Sequence, residues 1–313
     1  MSCVAYIILW AAIAVIATLI ILYLAINIYI ANLRASFIRR FNEHLSEFCA
    51  NLPPITYRES VYLPFDNGTY ERRLAIALSD IAFNTSKANC ANILPLPNPP
   101  GFDNQLRVEG ADPINGQSVM FAYIFWNSVT RQAVISFTGT ELISEWQSDL
   151  QFEQVAPTSL NGYENGVLVH KGFYDIYLAI RGQLWEWWGE NSSSITTLYV
   201  TGHSLGAALS TICAYDFAHT PDSFIHYSFA APRSGNSKYA QVFNLRVPQS
   251  LRVNNTEDII PQLPPATWQG LNYEQTGGNV PFTISLPGLI EDHIQAYTEH
   301  LPICPQVAPC HID

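Results

Sequence analysis

The sequence predicts an α/β fold in which helices cover both faces of a mostly parallel sheet. From about Val119 to Asn254, short runs rich in Val, Ile, Phe and Tyr alternate with longer stretches of helical spacing, the order that a parallel sheet with crossover helices requires. One junction between such segments reads Gly202-His203-Ser204-Leu205-Gly206, a pattern that belongs to a sharp turn between a strand and a helix. With 48% apolar residues in 313, the chain can bury a sizeable core.

The elements follow in chain order. Met1 to Leu33 carries no charged side chain and exceeds the ~20 apolar residues that cross a bilayer, so residues 1–33 are expected to form an N-terminal transmembrane helix. The stretch lacks a basic start and overshoots the apolar length of a cleaved signal peptide. Residues 34–54 then form a juxtamembrane linker, closed by Pro53-Pro54, which cannot continue a helix. Arg34, Arg39 and Arg40 follow the span, which leans the expectation toward a single-pass protein with its main domain, residues 55–313, on the cytoplasmic side. Two features point the other way. Glycosylation triplets begin at Asn67, Asn84, Asn191 and Asn254, and Cys49, Cys90, Cys304 and Cys310 could form two disulfides.

Tyr70 to Phe83 has helical spacing, and the Pro- and Asn-rich run 92–104 reads as a surface loop. Val119 to Trp126 and Gln132 to Phe137 form a hairpin about the polar stretch 127–131. Phe173 to Trp188 is a helix, Ile195 to Val200 a buried strand, and Ala207 to Ala218 a helix of small and apolar residues. Strands at Ser223 to Phe229 and Leu251 to Asn254 flank a helical stretch from Lys238 to Asn244.

A net charge of −11 excludes nucleic acid as a partner, since a phosphate backbone is bound by clustered Lys and Arg. Chemistry centres on Ser204. The glycines at 202 and 206 let strand and helix pass closely, and the turn between them would expose the serine hydroxyl. A serine needs a histidine base, and the imidazole needs a carboxylate to hold its tautomer. In this fold type both partners follow the serine in the chain. Asp258, just beyond the strand ending at Asn254, sits where ligand sites form in open α/β sheets. Asp216 and Asp222 are the alternatives. For the base, His293 competes with His300 and His311, and its neighbour Asp292 does not share its helix face.

Several segments in order resemble the class 3 lipases, the fungal-type triacylglycerol lipases of the α/β-hydrolase fold. They are VISFTGT (134–140), WQSDL (146–150), VHKGFYDIY (169–177), VTGHSLGAAL (200–209), FAAPRSGN (229–236), LRVNNTEDIIPQLP (251–264) and DHIQAY (292–297). The resemblance spans about residues 117 to 300 and makes residues 55–313 the lipase domain. It implies Ser204 as nucleophile, Asp258 as acid, His293 as base, and Thr140 with Leu205 as oxyanion contributors. It also places a lid at Glu141 to Trp146, with Leu142, Ile143 and Trp146 as its apolar face. The expected function is hydrolysis of glycerolipid carboxylic esters at a lipid interface through an acyl-enzyme, without metal, cofactor or protein partner. A catalytically silent lipid-binding protein, or a small-ester carboxylesterase or serine peptidase, are the alternatives. The chain departs from the family at Thr138, where fungal members often carry arginine, and at Ala230, which replaces a glycine.

Overall fold

The computed structural model describes residues 54–62, 69–90, 95–113, 116–139, 152–288 and 291–302, together with Tyr23, Ala25 and Asn32. Helix α1 (Arg72–Cys90) is followed by strands β1 (Asn104–Ala111), β2 (Ser118–Asn127) and β3 (Gln132–Phe137). A short ribbon of β4 (Gln154–Val155) and β5 (Val169–His170) leads into helix α2 (Lys171–Asn191). Strand β6 (Thr197–His203), helix α3 (Leu205–Phe217), strand β7 (Ser223–Phe229), helix α4 (Ser237–Arg246) and strand β8 (Ser250–Asn255) complete the alternating core. Beyond it come a second ribbon, β9 (Thr267–Trp268) with β10 (Leu271–Asn272), strand β11 (Gly278–Phe282) and the short helix α5 (Ala296–Glu299).

Seven strands form one sheet in the order β1-β2-β3-β6-β7-β8-β11. The first three are antiparallel neighbours, and β3, β6, β7, β8 and β11 run parallel. All seven residues of β6 are buried, which is why its apolar residues run together rather than alternate. Consecutive residues at its end show what covers each face. The His203 ring meets Phe83 of α1 at 4.3 Å, whereas Gly202 faces the backbone of α3. Helices α1 and α5 pack together on the first face. On the other, every residue of α3 is buried, with α2 against it and α4 joined to it by Tyr239 and Tyr215, 5.3 Å apart.

The expected hairpin and the core helices and strands are all present, most with ends shifted by one to three residues, whereas the first helix runs to Cys90 rather than Phe83. Two sheet strands escape a sequence reading for identifiable reasons. Only Val108 of β1 is buried, so this edge strand carries no apolar run. Strand β11 contains Gly278 and Pro281, residues that argue against a strand except at an edge, where it lies.

The expectation of a single-pass membrane protein is corrected. Among the described residues no helix is long and apolar enough to cross a membrane. The two longest, α1 and α2, have 19 and 21 residues but carry Arg72, Arg73, Asp80 and Lys87 in one and Lys171, Asp175, Arg181, Glu186 and Glu190 in the other. The predicted span and linker, 1–54, lie outside the described residues apart from Tyr23, Ala25, Asn32 and Pro54. Nor do the triplets at Asn84 and Asn254 offer accessible acceptors, since both asparagines are buried and Asn84 Nδ2 donates to the Thr56 carbonyl at 2.8 Å. Asn191 Nδ2 caps α2 by donating to the Trp187 carbonyl at 2.9 Å. Asn67, Cys49, Cys304 and Cys310 lie outside the described residues, as does the Cys90 side chain. Cys213 is a buried free thiol.

Two core histidines make the fold sensitive to acid. His226 lies between Ser210 Oγ at 3.0 Å and Ser250 Oγ at 2.7 Å, and His170 stacks on Phe173 at 4.1 Å. Burial pushes each down to about 3, whereas both titrate near ~6.5 in an unfolded chain. Between these values the unfolded state binds more protons, so the stability present above pH ~6.5 is lost as the pH falls toward ~3. The urea midpoint should therefore drop between pH 7 and pH 4. In the His226→Asn variant that slope should be shallower, and equal slopes would show that His226 is not buried neutral.

Candidate active site

The turn between β6 and α3 is set by two glycines. A Cβ on Gly202 would lie 2.2 Å from the Gly206 carbonyl oxygen, and one on Gly206 would lie 2.4 Å from the Phe137 carbonyl oxygen. No other residue fits either place. Between them Ser204 adopts φ 59°, ψ −123°, a conformation an L-residue holds only when its surroundings impose it. Here the Ser204 amide donates to the Phe229 carbonyl at 3.0 Å, while its own carbonyl accepts the Ala207 amide at 3.0 Å. Leu205 opens α3, so its amide is among the donors that a helix N-terminus leaves without an intrahelical acceptor.

Asp258 follows β8 and is 2% exposed. One carboxylate oxygen, Oδ1, accepts the Ile260 amide at 3.0 Å and so caps the turn Ile260–Gln262. The other, Oδ2, lies 2.8 Å from His293 Nδ1 and accepts the Tyr297 hydroxyl, also at 2.8 Å. A neutral imidazole that donates from Nδ1 carries its lone pair on Nε2, the basic position. His293 sits in a π-helical turn, Glu291–Gln295, immediately before α5. Its ring lies 4.5 Å from that of His203, the chain neighbour of Ser204, and His203 Nε2 donates to the His293 carbonyl at 2.7 Å. Burial, and then the neighbouring His293, push the His203 imidazole well below its usual range, so His203 stays neutral.

The competing residues are placed elsewhere. Asp216 is fully buried in α3, where its carboxylate accepts from Tyr177 Oη (2.9 Å), Arg181 Nε (2.8 Å), Trp185 Nε1 (2.8 Å) and the Asn161 amide (2.7 Å). Asp222 is exposed in the loop after α3. Asp292 does not orient His293; its carboxylate accepts the Leu286 amide at 2.8 Å. His300 is an exposed residue beside Glu299, and His311 lies outside the described residues. So do Thr140, Leu142, Ile143 and Trp146. Among the described residues no group of three His, Cys, Asp or Glu side chains could hold a metal ion.

Tyr297 was missed as part of the site. Its buried hydroxyl accepts the Asn255 amide at 2.9 Å and donates to Asp258, and burial with the adjacent carboxylate keeps the phenol neutral. The available signal was its spacing, four residues after His293 on the same helical face. Ala230 has φ 53°, the left-handed region where glycine is at ease and alanine is strained.

Residues 134–268 match the family model for lipase (class 3), which bears out the resemblance read from the motifs. The chain is 32% identical over 187 residues to the chloroplastic phospholipase A(1) DAD1 of Arabidopsis thaliana, covering 53% of this chain and 40% of that one. It is likewise 32% identical over 142 residues to a lipase of Rhizomucor miehei, covering 43% and 38% of the two chains. The crystal structure of a lipase from Rhizopus microsporus var. chinensis superposes with a TM-score of 0.54 at 18% identity, over 72% of this chain and 83% of that one. This last likeness concerns the fold. The matches span 31% to 43% of the length of the curated relatives.

Removing the Asp216 carboxylate should expose the structural role of its cluster. The Asp216→Ala variant leaves the Arg181 guanidinium, Tyr177 hydroxyl and Trp185 indole without their acceptor, and should lose about 3 kcal/mol of unfolding free energy in urea titration. A loss below about 1 kcal/mol, the worth of an exposed ion pair, would contradict the assignment.

Proposed function

We propose that this chain, whose residues 134–268 belong to the class 3 lipase family, is a serine hydrolase that cleaves carboxylic esters of glycerolipids through an acyl-enzyme. The observation that carries the reading is the buried 2.8 Å contact of Asp258 Oδ2 with His293 Nδ1, beside the strained turn at Ser204. In this mechanism Ser204 Oγ attacks the ester carbonyl as His293 Nε2 takes its proton. Asp258 holds the imidazole and stabilises the imidazolium, and Tyr297 donates to the same carboxylate oxygen. The tetrahedral oxyanion is met by the backbone amides of Leu205 and Thr140, with the Thr140 hydroxyl as a further donor. Collapse breaks the ester C–O bond, and the imidazolium protonates the leaving alcohol. Water, deprotonated by His293, then attacks the acyl-serine and releases the carboxylic acid.

The glycerolipid assignment is supported by the relatives, which are named as lipase and phospholipases A1. A catalytically silent lipid binder would have no need of the paired Asp258 and His293.

A fluorophosphonate probe should label the wild-type chain and fail to label Ser204→Ala. The His293→Ala variant should lose about four orders of magnitude in kcat. Rates on phosphatidylcholine vesicles, triglyceride emulsions and short-chain nitrophenyl esters then separate a lipase from a small-ester esterase. Persistent labelling of Ser204→Ala would overturn the nucleophile, and a wild-type chain that is neither labelled nor active on any ester would support the silent binder.

A further inference from the structure

The triplet Asn84-Thr85-Ser86, near the end of α1, fits a glycosylation pattern but is turned into the protein, and each residue holds a different piece of it. Asn84 secures segment 54–62 through the Thr56 carbonyl. Thr85 Oγ1 donates to the Ile81 carbonyl at 2.8 Å and lies 2.9 Å from Ser136 Oγ of β3. Ser86 Oγ donates to the Ala82 carbonyl at 3.1 Å and accepts the Gly139 amide at 2.9 Å. Gly139 runs beside the nucleophile, since a Cβ built on it would lie 3.9 Å from Ser204 Cβ and 3.4 Å from the His203 carbonyl oxygen. Its own carbonyl accepts the Thr138 hydroxyl at 2.8 Å.

We propose that Ser86 and Thr138 are positioning residues that clamp the two peptide planes flanking Gly139 and thereby aim the oxyanion hole. A peptide unit is planar and trans, so its N–H points opposite its C=O. Thr138 holds the second of these planes at its carbonyl end, through the Gly139 oxygen. Ser86 holds the preceding plane through the Gly139 N–H. Glycine is the most permissive residue in the chain, and without these two bonds both of its dihedrals are loose where a donor must be fixed before charge develops. Both bonds of the clamp are made by side-chain hydroxyls, one from α1 and one from the residue just after β3. The inference rests on the esterase reading above.

The test compares Ser86→Ala and Thr138→Val with the hydroxyl-retaining Ser86→Thr and Thr138→Ser, each rate normalised to the number of sites titrated by fluorophosphonate. Loss of either hydroxyl should lower kcat per titrated site by about tenfold or more, a fraction of the 10²–10³ lost with a whole oxyanion donor. KM should stay within about twofold, because ground-state binding is untouched. Affinity for a trifluoromethyl ketone transition-state analogue should fall in parallel with kcat, and the hydroxyl-retaining variants should recover most of both. Unchanged kcat per site in both Ser86→Ala and Thr138→Val overturns the proposal, as does a loss confined to melting temperature or to the fraction of titratable sites. Should one variant fail to fold, the other decides. A wild-type chain without labelling or ester turnover would instead be a failure of the esterase reading.

Discussion

The approach of α3 to the end of β6, too close for any side-chain carbon at Gly202 or Gly206, is the constraint from which the site follows. It forces Ser204 into a conformation that only the surrounding backbone bonds can sustain, and it presses the start of α3 against the end of β3. Because β3, β6 and β8 run parallel, their carboxyl ends bring Gly139, Ser204 and the turn of Asp258 to one edge of the sheet. His293 arrives from the far end of the chain and is seated by contacts to two of these ends, through Asp258 and through His203.

Asp216 and Asp258 persist at this depth because their oxygens are satisfied. These two buried acids, on opposite faces of the sheet, divide the tasks. Asp216 spends its oxygens on a guanidinium, a phenol, an indole and an amide, and so ties α2 to α3 with nothing left for chemistry. Asp258 uses one oxygen to cap a turn and the other to meet an imidazole and a phenol. The difference lies in their partners, since both are buried and hydrogen-bonded. The same accounting separates the histidines: His226 lies between two serine hydroxyls in the core, whereas His293 presents its Nδ1 to a carboxylate.

The central elements were legible because burial on both faces lets apolar residues follow one another in β6 (Leu198-Tyr199-Val200) and in β7 (Phe224-Ile225) and gives α2 its repeating aromatic and aliphatic stripe. Ser204, Asp258 and His293 could be singled out from turn chemistry, chain order and motif resemblance, and the geometry pairs the latter two. Edge strands β1 and β11 were illegible, because an edge needs no apolar pattern and tolerates glycine and proline. Spacing that predicts a glycosylation triplet carries no information about which way the side chains face, so the inward-turned Asn84 could not be seen. For Tyr297 the spacing from His293 was a signal, but the turn that carries its hydroxyl to Asp258 is a π turn that no local pattern announces. The apolar N-terminal stretch suggested a membrane span, but it lies outside the described residues apart from Tyr23, Ala25 and Asn32, and the long helices that are described, α1 and α2, carry embedded charges.

The π turn at Glu291–Gln295 has a consequence for how this part of the chain can change over time. Each residue in a helix advances its successors by about 100° and 1.5 Å, so one residue gained or lost between His293 and Tyr297 would swing the phenol away from Asp258 even if every side chain were kept. The wide turn already holds one residue more than an α-helical turn would, as single-turn π bulges do at many functional sites, and the present register depends on it. Residue count here is therefore under the same pressure as residue identity. Substitutions on the exposed side of α5 can accumulate while insertions and deletions in 291–297 cannot, a signature that comparison of related sequences by gap position, rather than by substitution, would bring out.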